Sequence, residues 1–357
     1  MNISLKDMKE RCAENGLRYA VMQAGPNECI LVLERGGRVF GPFFGDGDGI
    51  LWASSAWRYP DEFRRLLANG EWNMGGDRVW IAPEVQFHIQ DRTNPENSMK
   101  IPTAVDPGTY RMESSPDVCV LAQCMALRAY NLADGMAELH LRKSIRPAAN
   151  PLRALSGCAE LMGGVDYCGY SQELMLRSLK DNAISAEAWN ITQIEPPGEI
   201  LIPATKRAEY ADYYEPVDAQ HMQRSDQAIR LKASGQRRYK VGFKATHVKG
   251  DLVYFGEAGG TAYLYIKRFF NNPSACYSEE PASWPGVSGF STHVYNDDGK
   301  IGGFAELECN LQPVSGTGSR KTSTDLVCNW FFMGPLQRLN KIQSALTGMD
   351  RDYTSNY

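Results

Sequence analysis

Glycine and proline set the rhythm of this chain, and the rhythm limits what it can fold into. Between its 33 glycines and 19 prolines fall short apolar or alternating runs, at residues 19–23, 29–34, 38–44, 118–121, 125–131, 137–145, 172–179, 188–194, 239–243, 252–256, 262–270 and 325–332. Runs of this length, separated by turn formers such as Gly25-Pro26-Asn27 and Gly36-Gly37, predict strands joined by tight connections. Helical periodicity is confined to three places. Residues 5–15 carry Leu5, Met8 and Cys12 on one stripe, with Ser4 as N-cap and Gly16 as the stop. Residues 59–67 give one or two helical turns, and residues 336–342 a terminal helix. The pattern predicts an antiparallel all-β protein with short terminal helices. We expect one β unit over residues 28–335, preceded by a helix and first strand (1–27) and followed by a helix and a loose polar tail from Asp350 (336–357).

Composition narrows the function classes. With 43% hydrophobic and 22% charged residues the chain can bury a large core, and disorder is not expected. A formal net charge of −4 leaves no electrostatic footprint for nucleic acid or an anionic membrane. The one basic run, Gln236-Arg237-Arg238-Tyr239-Lys240, reads as a charged strand start. Nine cysteines, none at Cys-x-x-Cys spacing, read as small hydrophobes in a reducing compartment. Residues 1–15 hold Lys6, Asp7, Lys9, Glu10 and Arg11 in place of a signal peptide's apolar stretch, so a cytoplasmic location is expected. No run approaches the ~18 apolar residues of a membrane span. A P-loop, a dinucleotide fingerprint and a nucleophile elbow are also missing.

The most informative stretch is Gly302-Gly303-Phe304-Ala305-Glu306-Leu307-Glu308-Cys309-Asn310-Leu311-Gln312-Pro313. Period two puts Phe304, Glu306, Glu308 and Asn310 on one side of a strand and Ala305, Leu307, Cys309 and Leu311 on the other. Two acids roughly 7 Å apart on one strand face repel if both are ionised and dry. A solvated outer face accommodates them, and so does a site where a ligand or a raised pKa removes the conflict. The run Phe290-Ser291-Thr292-His293-Val294-Tyr295, with the turn signal Asp298-Gly299, brings a histidine and a tyrosine beside the same strand.

A second stretch runs Trp72-Asn73-Met74-Gly75-Gly76-Asp77-Arg78-Val79-Trp80-Ile81-Ala82-Pro83-Glu84. An indole to stack on a sugar ring and charged forks for its hydroxyls make a carbohydrate binder's kit. A glycine turn followed by a core tryptophan fits the same residues. Residues 85–90 alternate, which predicts a strand with His88 on its polar face. His140 alternates likewise in 137–145 and reads as a sheet-face histidine. Residues 204–236, charged and tyrosine-rich, read as a long surface excursion over one sheet, rimming a pocket.

Here the residues carry a resemblance. Glu308 with a proline five positions on, in a strand opened by Gly-Gly, resembles the catalytic-base strand of aldose 1-epimerases, the galactose mutarotases. Ala305-Glu306-Leu307-Glu308, Leu311-Gln312-Pro313, Gly316 and Trp330 are similar to a family of unknown function with the galactose mutarotase-like fold. The run Gly75-Gly76 through Trp80 to Pro83-Glu84 resembles that family's Gly-Gly-x-x-x-Trp-x-x-Pro-Glu signature, and Lys240-Val241-Gly242 its Lys-x-Gly strand. The resemblance covers the chain from about Cys29 to Phe332 and implies a galactose mutarotase-like β-supersandwich. One departure stands out: Trp189-Asn190-Ile191-Thr192-Gln193 falls where mutarotases carry their catalytic histidine, and no histidine is present.

The resemblance implies a carbohydrate-binding protein and an isomerase of the epimerase type. Glu308 would accept the anomeric proton, His293 or His88 would donate to the ring oxygen, and Arg78 would hold a hydroxyl or carboxylate. Trp80 would stack on the ring, with Glu84, Glu306, Trp189 and Lys240 as further binding residues. This chemistry needs no cofactor and no metal, although Glu306, Glu308 and a histidine could hold one. The partner is a small carbohydrate; oligomeric state is left open. Loss of the strand histidine equally fits a non-catalytic sugar-binding or sensor protein, and a scaffold for protein partners is a third reading.

Overall fold

The structure, a computed structural model, describes residues 3–132, 135–318 and 320–349. The tail from Asp350 lies outside the described residues. Two antiparallel sheets face each other, one of nine strands and one of ten. The first runs in the order Tyr19–Gln23, Glu28–Leu33, Arg38–Phe44, Asp77–Ala82, Glu187–Ile194, Ala305–Asn310, Phe290–Asn296, Tyr239–Lys244 and Tyr210–Asp212. The second is built on longer strands, among them Cys119–Arg128, Met136–Pro147, Asp166–Ser178 and Thr322–Met333. The all-β antiparallel architecture is the one the punctuation predicts.

The two sheets are covered differently. Strand Cys119–Arg128 alternates buried and exposed, as a sheet with one wet face must. In the first sheet Asp77–Ala82, Glu187–Ile194, Phe290–Asn296 and Ala305–Asn310 are buried at every position. Their inner face, with Val79, Ile81, Val294, Leu307 and Cys309, packs against Leu139, Leu141, Leu174, Leu176 and Phe331 of the second sheet. Their outer face is polar, and connecting segments fold over it.

Polar groups also pin the layers from inside. The Asp77 carboxylate accepts from Tyr170 (2.9 Å), Gln172 (2.7 Å) and Asn190 (2.6 Å). The Lys267 ammonium donates to the Leu307 carbonyl (2.8 Å), Thr192 Oγ1 (2.9 Å) and the Asn190 carbonyl (3.2 Å). Such groups survive burial because they are fully engaged. Geometrically they fix which residue of each central strand points outward.

The helices follow the sequence signals at both ends. Ser4 and Asp7 form a reciprocal capping box for Leu5–Glu14, and Met8 and Cys12 are buried. Leu336–Thr347 closes at Gly348 in the left-handed conformation.

Three expectations need correction. Residues 85–90 do not form a strand: after Pro83 the chain makes a helical turn, Glu84–Phe87, which places His88 at its C-cap, fully buried. Four residues of alternation cannot distinguish a short strand from one helical turn. Residues 204–236 are not a surface excursion throughout, since Ala228–Ala233 pairs along the whole of Gly198–Pro203 and Tyr210–Asp212 extends the first sheet. Runs 118–121 and 125–131 are one strand, Cys119–Arg128.

The Gly75-Gly76 pair shows why two glycines precede the central strand. Both have positive φ, at 102° and 79°, and a Cβ on Gly75 would lie 2.5 Å from the Ala53 Cα and from the Trp52 carbonyl oxygen. Neither contact is with a flexible side-chain end. Gly75→Ala is therefore expected to lower stability by about 2–4 kcal/mol through backbone strain and steric overlap. Denaturant unfolding at constant m-value checks it.

Candidate functional site

Strand register builds the site. Asn310, Glu308 and Glu306 lie opposite Trp189, Ile191 and Gln193 on one side, and Glu308 lies opposite His293 on the other. Trp80 and Arg78 stand opposite Trp189 and Ile191, while Tyr295 and His293 pair with Lys240 and Gly242. Period two thus gathers Arg78, Trp80, Glu187, Trp189, Lys240, His293, Glu306 and Glu308 on the outer face. Gly242 makes room there: a Cβ would sit 2.7 Å from both the His293 and Tyr213 rings.

Lys240 is the centre. Its Nζ donates to Glu84 Oε2 at 2.9 Å, stands 3.5 Å from Glu308 Oε2, and lies 4.4 Å from the Trp189 ring centroid and 5.3 Å from that of Tyr213. Burial disfavours its charge, but the Glu308 and Glu84 carboxylates beside it more than reverse that, and the ammonium is held.

Glu308 is wholly buried. Trp189 Nε1 donates to its Oε2 at 2.9 Å, whereas Oε1 finds no hydrogen-bond partner among the described residues. Burial raises this carboxyl to about 7; Lys240 opposes the shift, and Glu306 and Glu84 add to it. The ammonium's close contact is with Glu84, which leaves Glu308 governed by its dry surroundings.

Glu306 belongs to a second pair. Arg78 Nη2 donates to Glu306 Oε1 at 2.9 Å, and the guanidinium lies 4.4 Å from the Trp80 ring centroid and 5.2 Å from that of Trp72. Its Nε and Nη1 find no hydrogen-bond partner among the described residues. The two adjacent acids of the strand thus take different cations, which eases their mutual repulsion without removing it, since Glu306 still helps to raise Glu308.

The histidines are neutral. His88 Nε2 bonds the Ile81 carbonyl at 2.9 Å, so that nitrogen carries the proton; burial lowers the ring to about 4. The ring stacks on Trp80 at 5.4 Å between centroids. His293 Nε2 meets the Tyr213 hydroxyl at 3.0 Å, and burial followed by Lys240 holds the imidazole well below its ordinary value. Among the described residues no group of three or more His, Cys, Asp or Glu is placed to hold a metal ion.

Glu187 and Glu279 escaped the sequence reading, and Tyr213 was read only as part of the 204–236 stretch expected to rim a pocket. Glu187 lies on the Trp189 strand face, so alternation could have found it. Its oxygens accept from the Ser278 amide (2.5 Å), the Ser278 hydroxyl (2.8 Å) and Asn310 (2.8 Å), and burial still raises it to about 7. Tyr213 and Glu279 come from irregular segments without periodicity. Glu279 is buried, accepts the Glu84 amide at 2.7 Å through Oε2, and is held well above the carboxylate range by burial and by Glu84.

Two hollows adjoin this face. One of about 280 Å³ is lined by Glu84, Ile89, Met99, Tyr213, Tyr214 and Arg238, and reaches the site at Glu84 and Tyr213. The other, about 510 Å³, has Trp52, Ser54, Trp72, Asn73, Lys300 and Gly302 on its walls and meets Arg78 through Trp72.

This is an antiparallel two-sheet β-sandwich with a carboxyl-rich, tryptophan-lined site on one sheet. Residues 64–355 match the Family of unknown function (DUF6786), and the chain belongs to it. Among solved structures the chain is similar to a galactose mutarotase related enzyme from Lactobacillus acidophilus (TM-score 0.46, 7% identity, covering 89% of this chain and 97% of that one). It is also similar to a galactose mutarotase-like protein from Lactobacillus casei (TM-score 0.42, 8% identity, 89% and 99%). A third is galactose 1-epimerase from Lactobacillus acidophilus (TM-score 0.42, 11% identity, 89% and 95%). No curated protein sequence matches the chain. Among the described residues no helix is long and apolar enough to cross a membrane.

The raised carboxyls have a consequence for stability. Between the ordinary carboxyl range and about 7 the folded chain keeps protons on Glu187 and Glu308 that the unfolded chain has released. Their contribution is therefore full at low pH, falls as pH rises through that window, and levels off above it. Glu187→Gln removes one such group, and the Asn310 amide, whose Oδ1 lacks a partner among the described residues, can turn to accept the new NH₂. Melting the two proteins from about pH 5 to about pH 8 should show the variant gaining on the wild type by on the order of 2–3 kcal/mol.

Proposed function

We propose that the outer face around Lys240 binds a small carbohydrate and works on its anomeric centre by proton transfer, with Glu308 as the base. The observation that carries this reading is the state of Glu308: buried, poised near neutrality, one oxygen held by Trp189 and Lys240 and the other, Oε1, without a partner among the described residues. A base serves best when its pKa lies near the working pH and its accepting oxygen is free. In this reading Oε1 takes the anomeric hydroxyl's proton. Trp189 and Lys240 stabilise the carboxylate between turnovers. The free Nε and Nη1 of Arg78 hold a sugar hydroxyl or carboxylate, beside Trp80 and Glu306. Glu84 holds Lys240 in place at the mouth of the smaller hollow.

The histidines contribute as neutral rings. His88 spends its one N–H on a hydrogen bond to the Ile81 carbonyl and stacks on Trp80, which it orients. His293, bonded to Tyr213, offers Nδ1 to a sugar oxygen.

A second reading, a sugar-binding or sensor protein without turnover, is favoured by those same neutral histidines: neither carries a proton ready for the ring oxygen. The two readings separate by exchange NMR of α and β anomers over a panel of aldoses and uronates, with calorimetric binding in parallel. Enzyme action predicts anomer exchange that Glu308→Gln slows by about 10²–10⁴-fold with sugar affinity retained. Binding without exchange in the wild type would establish the sensor, and no binding at all would remove the carbohydrate from both.

A further inference from the structure

The base is only half of the reaction, and the neutral histidines leave its acid unassigned. Ring opening at an anomeric carbon breaks the C1–O5 bond, and the electron pair left on O5 needs a proton while the O1–H pair becomes the new C1=O1 bond.

Four buried carboxyl groups cluster here: Glu308, Glu84 and Glu279 act on the Lys240 ammonium, and all four, Glu187 included, act on the Tyr213 hydroxyl. They come from four different parts of the chain, and hydrogen bonding separates their capabilities. Glu84 is the close partner of Lys240. Glu187 has both oxygens engaged, by Ser278 and by Asn310. Glu308 has Oε2 engaged and Oε1 bare. Glu279 has the same asymmetry: Oε2 accepts the backbone amide of Glu84, while Oε1 is buried without a partner among the described residues. The oxygen that accepts an N–H is the carbonyl oxygen of a carboxylic acid, so any proton on Glu279 sits on Oε1. Four buried carboxylates cannot all be ionised against one ammonium, and the free energy falls when the group with the least cation contact keeps its proton. Among the described residues Glu279 makes no ion pair within 4 Å; burial, then the Glu84 charge and more weakly that of Glu187, raise it, and Lys240 only partly opposes them.

A chain of contacts joins the two carboxyls: Glu279 Oε2 accepts the Glu84 amide, Glu84 Oε2 accepts from Lys240 at 2.9 Å, and Lys240 Nζ stands 3.5 Å from Glu308 Oε2. Glu279 and Glu308 each bear on the Tyr213 hydroxyl and on the Lys240 ammonium, and Tyr213 lines the smaller hollow with Ala282, three residues beyond Glu279. The segment carrying Glu279 is fastened there. Arg92 binds the Glu280 carboxylate and donates to the carbonyls of Pro281 and Ala282, both at 2.8 Å.

We infer that Glu279 is the catalytic acid opposite Glu308: Glu279 Oε1 gives its proton to the ring oxygen while Glu308 Oε1 takes the proton of the anomeric hydroxyl. This rests on the reading of Glu308 given above. Ring opening leaves Glu308 protonated, Glu279 ionised and the sugar as its open-chain aldehyde. After rotation about the bond to C1, closure returns both protons, so nothing else is consumed. Two carboxyls then perform the two proton transfers, and the absent strand histidine is not needed.

The test uses the full chain, anomer-exchange NMR over a pH series, and calorimetric sugar binding. Glu279→Gln should slow exchange by about 10²–10⁴-fold, as Glu308→Gln does, with affinity changed by no more than a few-fold. The high-pH limb of the wild-type profile, where Glu279 loses its proton, should vanish. That limb is set by Glu279 together with the groups facing it: Glu84, Lys240, Tyr213, Glu187 and Glu308. Glu279→Asp, which keeps an acid but shortens its reach, should retain the limb and lose less rate than the glutamine variant, and it carries the test if the latter fails to fold. An active wild type whose Glu279 variants keep their rate and their high-pH limb overturns this inference alone. A wild type that exchanges no sugar overturns the reading of Glu308 and this inference together.

Discussion

The structure turns on one charge. Lys240 is a buried ammonium on the outer face of the first sheet, and every carboxyl near it is defined by how much of that charge it receives. Glu84 takes the short contact and Glu308 the longer one, while Glu279 and Glu187 make no contact within 4 Å. Desolvation penalises an isolated charge far more than a pair, so such a cluster settles by giving protons to its least paired members. The proton inventory of the site thus follows from counting cations. A fully solvated face would erase these differences, because water would satisfy every carboxylate alike.

Burial on both faces is what keeps the cluster dry, and it is a property of the fold. The inner side of the central strands packs against the second sheet, with Asp77 and Lys267 fully bonded in between. The outer side is roofed by connections. The 84–106 stretch contributes Glu84 and His88, the segment after Asp212 contributes Tyr213, and residues 270–289 contribute Ser278 and Glu279. Asp106 joins two of these layers, since it binds Arg38 and accepts from Trp80 Nε1 at 3.0 Å. Arg38 in turn donates to the Gly75 carbonyl at 2.7 Å, which ties the double-glycine turn to the wall of the site. A change at that turn is felt at Trp80 and Arg78, although neither is close to it in function.

How much of this was legible in the sequence depended on periodicity. Where alternation was read it placed the faces correctly, with Glu306 and Glu308 opposite the apolar Leu307 and Cys309; Arg78, Trp80 and Lys240 also lie on strands, whereas Glu187, on an equally regular strand, was passed over. The physical reason is that a buried strand has two faces and no third option. His88 was misplaced because Pro83 starts a helical turn, where four residues carry no diagnostic period. Glu279, and the contact of Tyr213 with His293, were illegible for a deeper reason. They belong to irregular connections whose course is set by tertiary bonds, such as Arg92 to Glu280 across 188 positions, and no local pattern encodes such a bond. The sequence also exposed the adjacent acids as a conflict without showing its resolution, since the resolving cations, Arg78 and Lys240, sit on other strands.

The face divides into two halves with different physics. At Arg78 and Glu306 the ion pair lies against Trp72 and Trp80, and the guanidinium keeps two N–H donors beyond that pair. A planar, permanently charged fork with spare donors recognises oxygen atoms without changing protonation state. At Lys240 the cation is paired with Glu84 and Glu308, and what remains free are buried carboxyl oxygens, that of Glu308 on a group raised to about 7. One half is suited to holding a polyhydroxylated ligand and the other to moving its protons. Proton transfer needs the ligand fixed to within fractions of an ångström of both oxygens. In the proposed reading the rigid half sets the geometry in which the titrating half works, and the strand that bears Glu306 and Glu308 two residues apart couples them directly.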